Sequence, residues 1–286
     1  MNFEEVLKFS FSWIKNRESL KYAGYQYVLI IGFLVIIGVL FLAFFAEAID
    51  MFLKGVAPSE QVLLSLSPNI IGFVAIMLVL TIFASIVSYY IFGLMFGFAL
   101  RQKRLVFEPF PFRKGFRMFL LQNIVEVIYV FFYPPSRKLL VIQWAIILAM
   151  LASFLLVLIS PAVVILLLFT IPAYIFIIGF NLMRFSMAIP IFLSTKKSIS
   201  QSLRASWELT RGNALNVFLM QMIVGFATTI IYYILAFIIM IIPIFALGLS
   251  ESFVEIVVVI IQLVLLPFST LVYAFLFTGI YSELKK

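Results

Sequence analysis

The chain has 286 residues, of which 65% are hydrophobic and 11% are charged, whereas soluble domains are roughly 45–50% apolar and about 25% charged. Its formal charge of +8 does not indicate a nucleic-acid partner, because the 20 Lys and Arg residues lie in short segments between long apolar runs. The sequence contains neither Cys nor His, which excludes disulfides, thiolate nucleophiles, imidazole bases and the usual zinc and haem ligands.

The N-terminal segment has the period of an amphipathic helix. Its apolar side chains recur on one face and its charged side chains on the other: Phe3, Val6, Leu7, Trp13 and Ile14 against Glu4, Glu5, Lys8 and Lys15. Asn2, followed three residues later by Glu5, fits a variant of the capping box. We expect this helix to lie at a membrane interface.

Six apolar runs are long enough to cross a hydrocarbon core of about 30 Å as helices. They are 28–49, 70–100, 139–159, 162–182, 217–247 and 253–281. The first run is expected to be a retained span, because no small-residue cleavage site of a signal peptide accompanies it. A seventh run, 116–133, contains Gln122 and Glu126, and a carboxylate at mid-bilayer would cost several kcal/mol.

Loop charge favours six spans over seven. With the run 116–133 along the interface, Lys54 is the only basic residue left opposite the basic loops, in the company of Glu47, Asp50, Glu60, Glu251 and Glu255. A seventh span would export Arg137 and Lys138 and invert every later loop. Because cytoplasmic loops collect Lys and Arg, we expect a multi-pass protein of the cell membrane with both termini cytoplasmic.

A second amphipathic segment begins near Ser198. Ile199, Leu203 and Trp207 recur every four residues, and Gly212 is a natural C-terminal stop. The segment is predicted to lie along the cytoplasmic face, and the i,i+4 spacing of Arg204 and Glu208 predicts an ion pair between them. Its candidate contacts with lipid headgroups or a protein partner are Arg204, Trp207, Glu208 and Arg211.

The predicted fold is one all-α integral membrane domain, 1–286, with six spans and about three interfacial helices. It divides into three units of similar length, 1–104, 105–197 and 198–286, each an amphipathic helix followed by a helical hairpin. The first and third units share the pair Ser-Trp followed by Arg, at 12–17 and 206–211. This pattern raises the hypothesis of a parallel repeat.

Two motifs resemble a known family: RFSMAIP at 184–190 and SLRASWELTRGN at 202–213, followed by two spans. The chain resembles the six-span membrane domain found fused to some glycerophosphodiester phosphodiesterases, and related uncharacterised archaeal and bacterial membrane proteins. The resemblance implies the six-span fold but no activity, because the membrane domain has no agreed activity of its own. In the fused enzymes a separate soluble barrel uses His and metal-binding carboxylates, so phosphodiesterase activity is not carried over.

Few polar residues could serve a reaction or a transport pathway. The candidates are Gln122, Glu126 and Asn181, since Glu126 interrupts an apolar run and Asn181 lies at membrane depth. Interhelical hydrogen bonds are the simpler interpretation of the buried amides, and the wet face of an interfacial helix is the simpler one for Glu126. No catalytic constellation, metal site or cofactor site is predicted.

The leading hypothesis is a non-enzymatic membrane module, a scaffold or subunit, whose interfacial helices contact lipid headgroups or a partner. The alternative is a carrier or flippase for lipid-like or apolar solutes. A polar cavity open to one face of the bundle would favour the alternative.

The charge pattern predicts the topology of the chain. Single Cys residues at Ser59 and Ser250 should react with an impermeant reagent in intact cells, and a Cys at Ser136 should not, on a background without native Cys. External labelling at Ser136 would restore the seven-span arrangement.

Overall fold

The computed structural model of the protein describes residues 1–54, 60–105, 112–121, 128, 137–157, 164–241 and 251–286. These residues form helices and no strand, which confirms the all-α class. The helices are α1 (Phe3–Ser10), a 3-10 turn (Ser12–Lys15), α2 (Arg17–Leu53), α3 (Glu60–Gln102), α4 (Phe112–Leu120), α5 (Arg137–Val157), α6 (Val164–Phe185), α7 (Ala188–Ser194), α8 (Ile199–Leu209), α9 (Ala214–Ile241) and α10 (Glu251–Leu284).

Five described segments are long and apolar enough to cross a membrane. They are Arg17–Ala46, Pro68–Gln102, Leu168–Ser194, Ala214–Leu235 and Ile261–Leu284. Helix α5 adds a shorter apolar stretch, Leu140–Ser153. The chain therefore has the helices of a multi-pass membrane protein, while the count of six spans, the orientation of the termini and the repeat remain predictions.

The long helices alternate in direction. At one end of the α2–α3 hairpin the Asn69 amide donates to the carbonyl of Phe44 over 3.2 Å, and at the other end the rings of Tyr22 and Phe98 lie 5.9 Å apart. Phe98 also contacts Phe275 of α10, at 6.2 Å. We call the end where α2 begins and α3 and α10 end the basic end, because Arg17, Lys21, Arg101, Lys103, Lys285 and Lys286 lie there.

The described core is packed near the basic end. Its largest fully buried side chains come from the last turns of α3, α6 and α10 and from the segments around α7 and α8: Phe96, Leu100, Phe185, Met187, Leu203, Phe275 and Leu276. Every side chain from 188 to 193 is buried, so α7 is a core helix. By contrast, Val35, Phe83 and Phe237 are 59%, 61% and 62% exposed, as side chains that face lipid would be.

Helix α1 packs along α10 rather than along a free interface. Phe9 contacts Phe275 with ring centroids 5.2 Å apart, and a Cβ on Gly279 would lie 3.4 Å from Val6 Cγ1. The predicted apolar stripe is therefore rotated: Val6 is buried, but Leu7 and Ile14 are 39% and 58% exposed. Close helix–helix approach at a glycine determines which face of α1 turns inward.

The predicted N-terminal cap of α1 forms at Asn2, but the prediction that Glu5 completes it as a capping box is wrong. The Asn2 side chain accepts hydrogen bonds from the backbone N–H groups of Glu4 and Glu5. The backbone N–H of Asn2, however, donates to Glu283 Oε2 over 3.0 Å, and the Glu5 carboxylate instead accepts from Lys286 Nζ over 3.1 Å. The end of α10 thus completes the cap of α1.

Of the run 116–133, the structure describes only 116–121 and 128. Helix α4 lies against α3, where a Cβ on Gly115 would come within 2.8 Å of the Tyr90 Cα. Met118 and Leu121 are fully buried. Gln122 and Glu126 lie outside the described residues, so their functional interpretation remains a prediction.

Gly115→Ala should destabilise the protein, because the added methyl group collides with backbone atoms that cannot yield. We expect a loss of about 1–3 kcal/mol, seen as a lower melting temperature in detergent. Gly97→Ala is the matched control, since no neighbouring atom lies within 4 Å of its added Cβ, and it should be neutral or stabilising by up to about 1 kcal/mol. Equal effects of the two variants would contradict the packing of α4 on α3.

Candidate functional site

Helix α8 has the boundaries that the sequence predicts. The Ser198 hydroxyl accepts from the backbone N–H of Gln201 while the Gln201 side chain accepts from the Ser198 N–H, a reciprocal capping box. At the other end Gly212 has φ +84°, a left-handed conformation that favours glycine. The face between these ends turns inward, and its buried residues are Ser202, Leu203, Ser206 and Trp207.

Arg184 fastens α8 to the end of α6. Its Nη2 donates to the carbonyl of Trp207 over 2.9 Å and its Nε to Thr210 Oγ1 over 3.3 Å. The guanidinium carbon lies 3.5 Å from the centroid of the Trp207 ring, within the range of a cation–π contact. The Ser206 hydroxyl donates to the carbonyl of Arg184 over 2.6 Å, so both helices supply donors and acceptors to the same joint.

Of the four candidate contact residues in α8 and its C-terminal turn, one is buried and three are exposed. Trp207 is only 9% exposed, and its ring packs between Arg184 and Phe185. Arg204, Glu208 and Arg211 remain exposed. The described ion pairs do not include one between Arg204 and Glu208. A lipid or partner on this surface would therefore contact the side chains of Arg204, Glu208 and Arg211, which belong to none of the described ion pairs. The Trp207 side chain is buried in contacts within the protein and is not available to it.

The buried amides behave differently from one another. Gln221 of α9 donates to the carbonyl of Met183 in α6 over 3.4 Å, as interhelical bonding predicts, and to Ser186 Oγ in the following turn over 2.6 Å. Asn181 is fully buried, and within the described part of the chain neither its Nδ2 nor its Oδ1 has a hydrogen-bond partner. Gln143 in α5 is also buried, and neither polar atom of its side chain has a hydrogen-bond partner among the described residues. The interhelical interpretation is therefore confirmed for Gln221, whereas for Asn181 and Gln143 it stays a prediction, since the described residues offer them no such partner.

A groove of about 590 Å³ lies between the 3-10 turn, α9 and α10. We call it the lateral groove, since Ile231 and Leu266 in its wall are 49% and 46% exposed like the lipid-facing residues around them. Its walls are mainly apolar and aromatic: Phe11, Trp13, Ile14, Ile231, Tyr232, Leu235, Leu265, Leu266, Phe268 and Val272, with Thr228, Gln262 and Ser269. Such a surface fits a hydrocarbon chain.

Trp13 forms the wall of the lateral groove nearest the basic end. Its ring stacks on Phe268 with centroids 5.7 Å apart. The indole Nε1 and the Tyr232 hydroxyl are buried and have no hydrogen-bond partner among the described residues. The sequence predicts Trp13 on the apolar stripe of an interfacial helix, and nothing in the local pattern brings it to α9 and α10.

A second cavity, which we call the seam crevice, lies between α2, α3 and α10. It has a volume of about 460 Å³ and adjoins a smaller cavity of about 240 Å³ along the α2–α3 contact, with Ser88 and Tyr89 lining both. Leu266 and Ser269 of α10 line the seam crevice and the lateral groove alike. Both cavities therefore border the same segment of α10, beside Pro267.

The described residues contain no group of three or more Asp or Glu side chains that could hold a metal ion. The chain also matches no protein-family model, no curated protein and no solved structure.

Replacing Arg184 should loosen α8. Arg184→Gln removes the cation–π contact and the charged hydrogen bonds, and we expect a loss of about 2 kcal/mol in stability. Arg204→Gln, an exposed position on the same helix, should change stability by less than about 0.5 kcal/mol. Limited proteolysis near 198–213 and the melting temperature measure both variants. An Arg184 variant as resistant as the Arg204 variant would show that this joint is not needed.

Proposed function

We propose that this protein is a non-enzymatic module of the cell membrane that holds the hydrocarbon chain of a lipid-like molecule in its lateral groove. The observation that carries the proposal is the groove itself, formed by Trp13, α9 and α10 within segments apolar enough to span a membrane. Its volume of about 590 Å³ falls within the roughly 300–1,000 Å³ of small-molecule sites. The surrounding bilayer supplies the occupant.

The basic end supports the same proposal from another direction. Exposed Arg204 and Arg211 lie beside Lys196 and Lys197, and each basic side chain near an anionic lipid surface contributes about 1 kcal/mol. We propose that this face meets headgroups on the cytoplasmic side, with both termini cytoplasmic, and that Glu208 offers a contact for a protein partner. In this form the protein acts as a scaffold or subunit.

A carrier or flippase for lipid-like solutes is the second candidate. The seam crevice favours it, because polar side chains from α2, α3 and α10 line a cavity at membrane depth: Gln26, Ser88, Ser269 and Thr270. Alternating access would require this cavity to open in turn to each side. Reconstituted vesicles with a fluorescent lipid on one leaflet distinguish a carrier from a module that only binds.

Filling the lateral groove should displace its occupant. Ile231→Trp places a large side chain in the groove, whereas Ile230→Trp, at the neighbouring exposed position outside the groove wall, does not. With a lipid that bears a photoreactive group at its chain end, we expect Ile231→Trp to reduce labelling of α10 peptides severalfold and Ile230→Trp to leave it unchanged. Equal labelling of both variants would refute the groove as a lipid site.

A further inference from the structure

The seam crevice has polar walls without charge. Its described lining combines four aromatic rings with amide and hydroxyl groups: Gln26, Ser88, Tyr89, Phe92, Ser269, Thr270, Tyr273 and Phe277. No Asp, Glu, Lys or Arg is among the described residues that line it or the adjoining cavity. A charged group that entered at this depth would lose its hydration without gaining a counter-charge, at a cost of several kcal/mol.

Gln26 shows which uncharged group the walls can recognise. The residue is 4% exposed, and its Oε1 has no hydrogen-bond partner among the described residues. Its Nε2 makes a long contact of 3.5 Å with Thr270 Oγ1. Since an amide oxygen only accepts hydrogen bonds, the missing partner is a donor.

The neighbouring hydroxyls point to the same requirement. Ser269 and Thr270 each donate to the carbonyl of Leu266, over 2.8 Å in both cases. Their oxygens keep lone pairs that can accept. The wall beside Gln26 is therefore richer in acceptors than in free donors, which suits a ligand that brings its own hydroxyl hydrogens.

The crevice also lies where the head of a bound amphiphile could reach it. Leu266 and Ser269 belong to both cavities, so a chain in the lateral groove and a head in the seam crevice would share one segment of α10. Tyr273 and Phe277, with ring centroids 5.9 Å apart, present the kind of aromatic surface on which the apolar face of a sugar ring packs.

We propose that the seam crevice binds the uncharged, hydroxyl-bearing head of an amphiphile, of the sugar or polyol type, through Gln26. The inference rests on the proposed lipid-binding function, because it names the head of the molecule whose chain occupies the groove. It excludes phosphate and quaternary-ammonium heads from the crevice.

The test uses the full chain in phosphatidylcholine nanodiscs with two photoreactive probes of equal chain length. One is an alkyl glucoside and the other an alkyl phosphocholine, each with a diazirine next to its head. We expect the glucoside to label peptides from 81–92 and 266–277, and Gln26→Leu to weaken that labelling about five- to tenfold, the worth of a hydrogen bond. Gln143→Leu, which removes another buried amide without a described partner, is the matched control and should leave labelling unchanged.

Ser88→Ala provides a second variant in case Gln26→Leu disturbs folding. It removes a single hydroxyl from the wall, and we expect a two- to threefold loss of glucoside labelling. The inference would be overturned if neither Gln26→Leu nor Ser88→Ala reduced labelling by the glucoside, or if the phosphocholine labelled these peptides more strongly than the glucoside. The groove site would stand in both cases. The chain-end probe tests the proposed function separately: if Ile231→Trp and Ile230→Trp leave its labelling of α10 equal, the proposed function itself fails.

Discussion

The cost of placing a charge in hydrocarbon organises this molecule. The sequence has no charged residue in 22–46, 61–100, 139–183, 212–250 or 256–282, so the described charges lie at or beyond the ends of the long helices. Basic side chains gather at one of these ends, and there the chain also builds its described core around α7 and α8. Exposed apolar side chains fill the rest of the long helices, where lipid takes the place of a protein partner.

Helix α10 connects the charged, basic end of the molecule with its apolar membrane-spanning part. At the basic end Lys286 lies 3.1 Å from Glu5 and 2.5 Å from Glu283. Hydrogen bonds from Lys286 to Glu283 and Glu5 raise the pKa of its ammonium group. The exposed pair with Glu5 contributes little energy by itself, but with Gly279 and the hydrogen bond from the Asn2 N–H to Glu283 it positions α1 on α10. The position of α1 in turn places Trp13 in the wall of the lateral groove.

The middle of α10 is polar where its surroundings are apolar. Pro267 cannot donate a backbone hydrogen bond, and near it the carbonyls of Val264 and Leu266 accept side-chain hydroxyls, including that of Tyr27 from α2. Because both cavities border this segment, a displacement of it would alter groove and crevice together. The proposed chain site and the proposed head site would thus both depend on one helix.

Local sequence patterns predict where the helices begin and end better than they predict which segments pack against each other. The stop at Gly212 and the cap at Asn2 follow from local backbone preference and short-range hydrogen bonding, and the sequence predicts both. It also predicts the start of α8 near Ser198, but not the capping box found there. The sequence does not predict which face of α1 turns inward. Val6 is buried and Leu7 is exposed because Val6 packs at Gly279, which lies more than 270 positions away in the chain. Trp207 was expected at headgroup level, but Arg184 of another helix covers it. The lateral groove and the seam crevice escaped prediction for the same reason, because each is lined by three separate segments of the chain.

The most direct test of this account is the collision of nitroxide spin labels with oxygen and with a water-soluble nickel complex. A label at Val35 or Phe237, in the exposed halves away from the basic end, should be reached by oxygen and protected from nickel. A label at Arg204 should be reached by nickel. If nickel reached Val35 and Phe237 as readily as Arg204, those halves would lie in water, and the assignment of the lateral groove to the bilayer would be wrong.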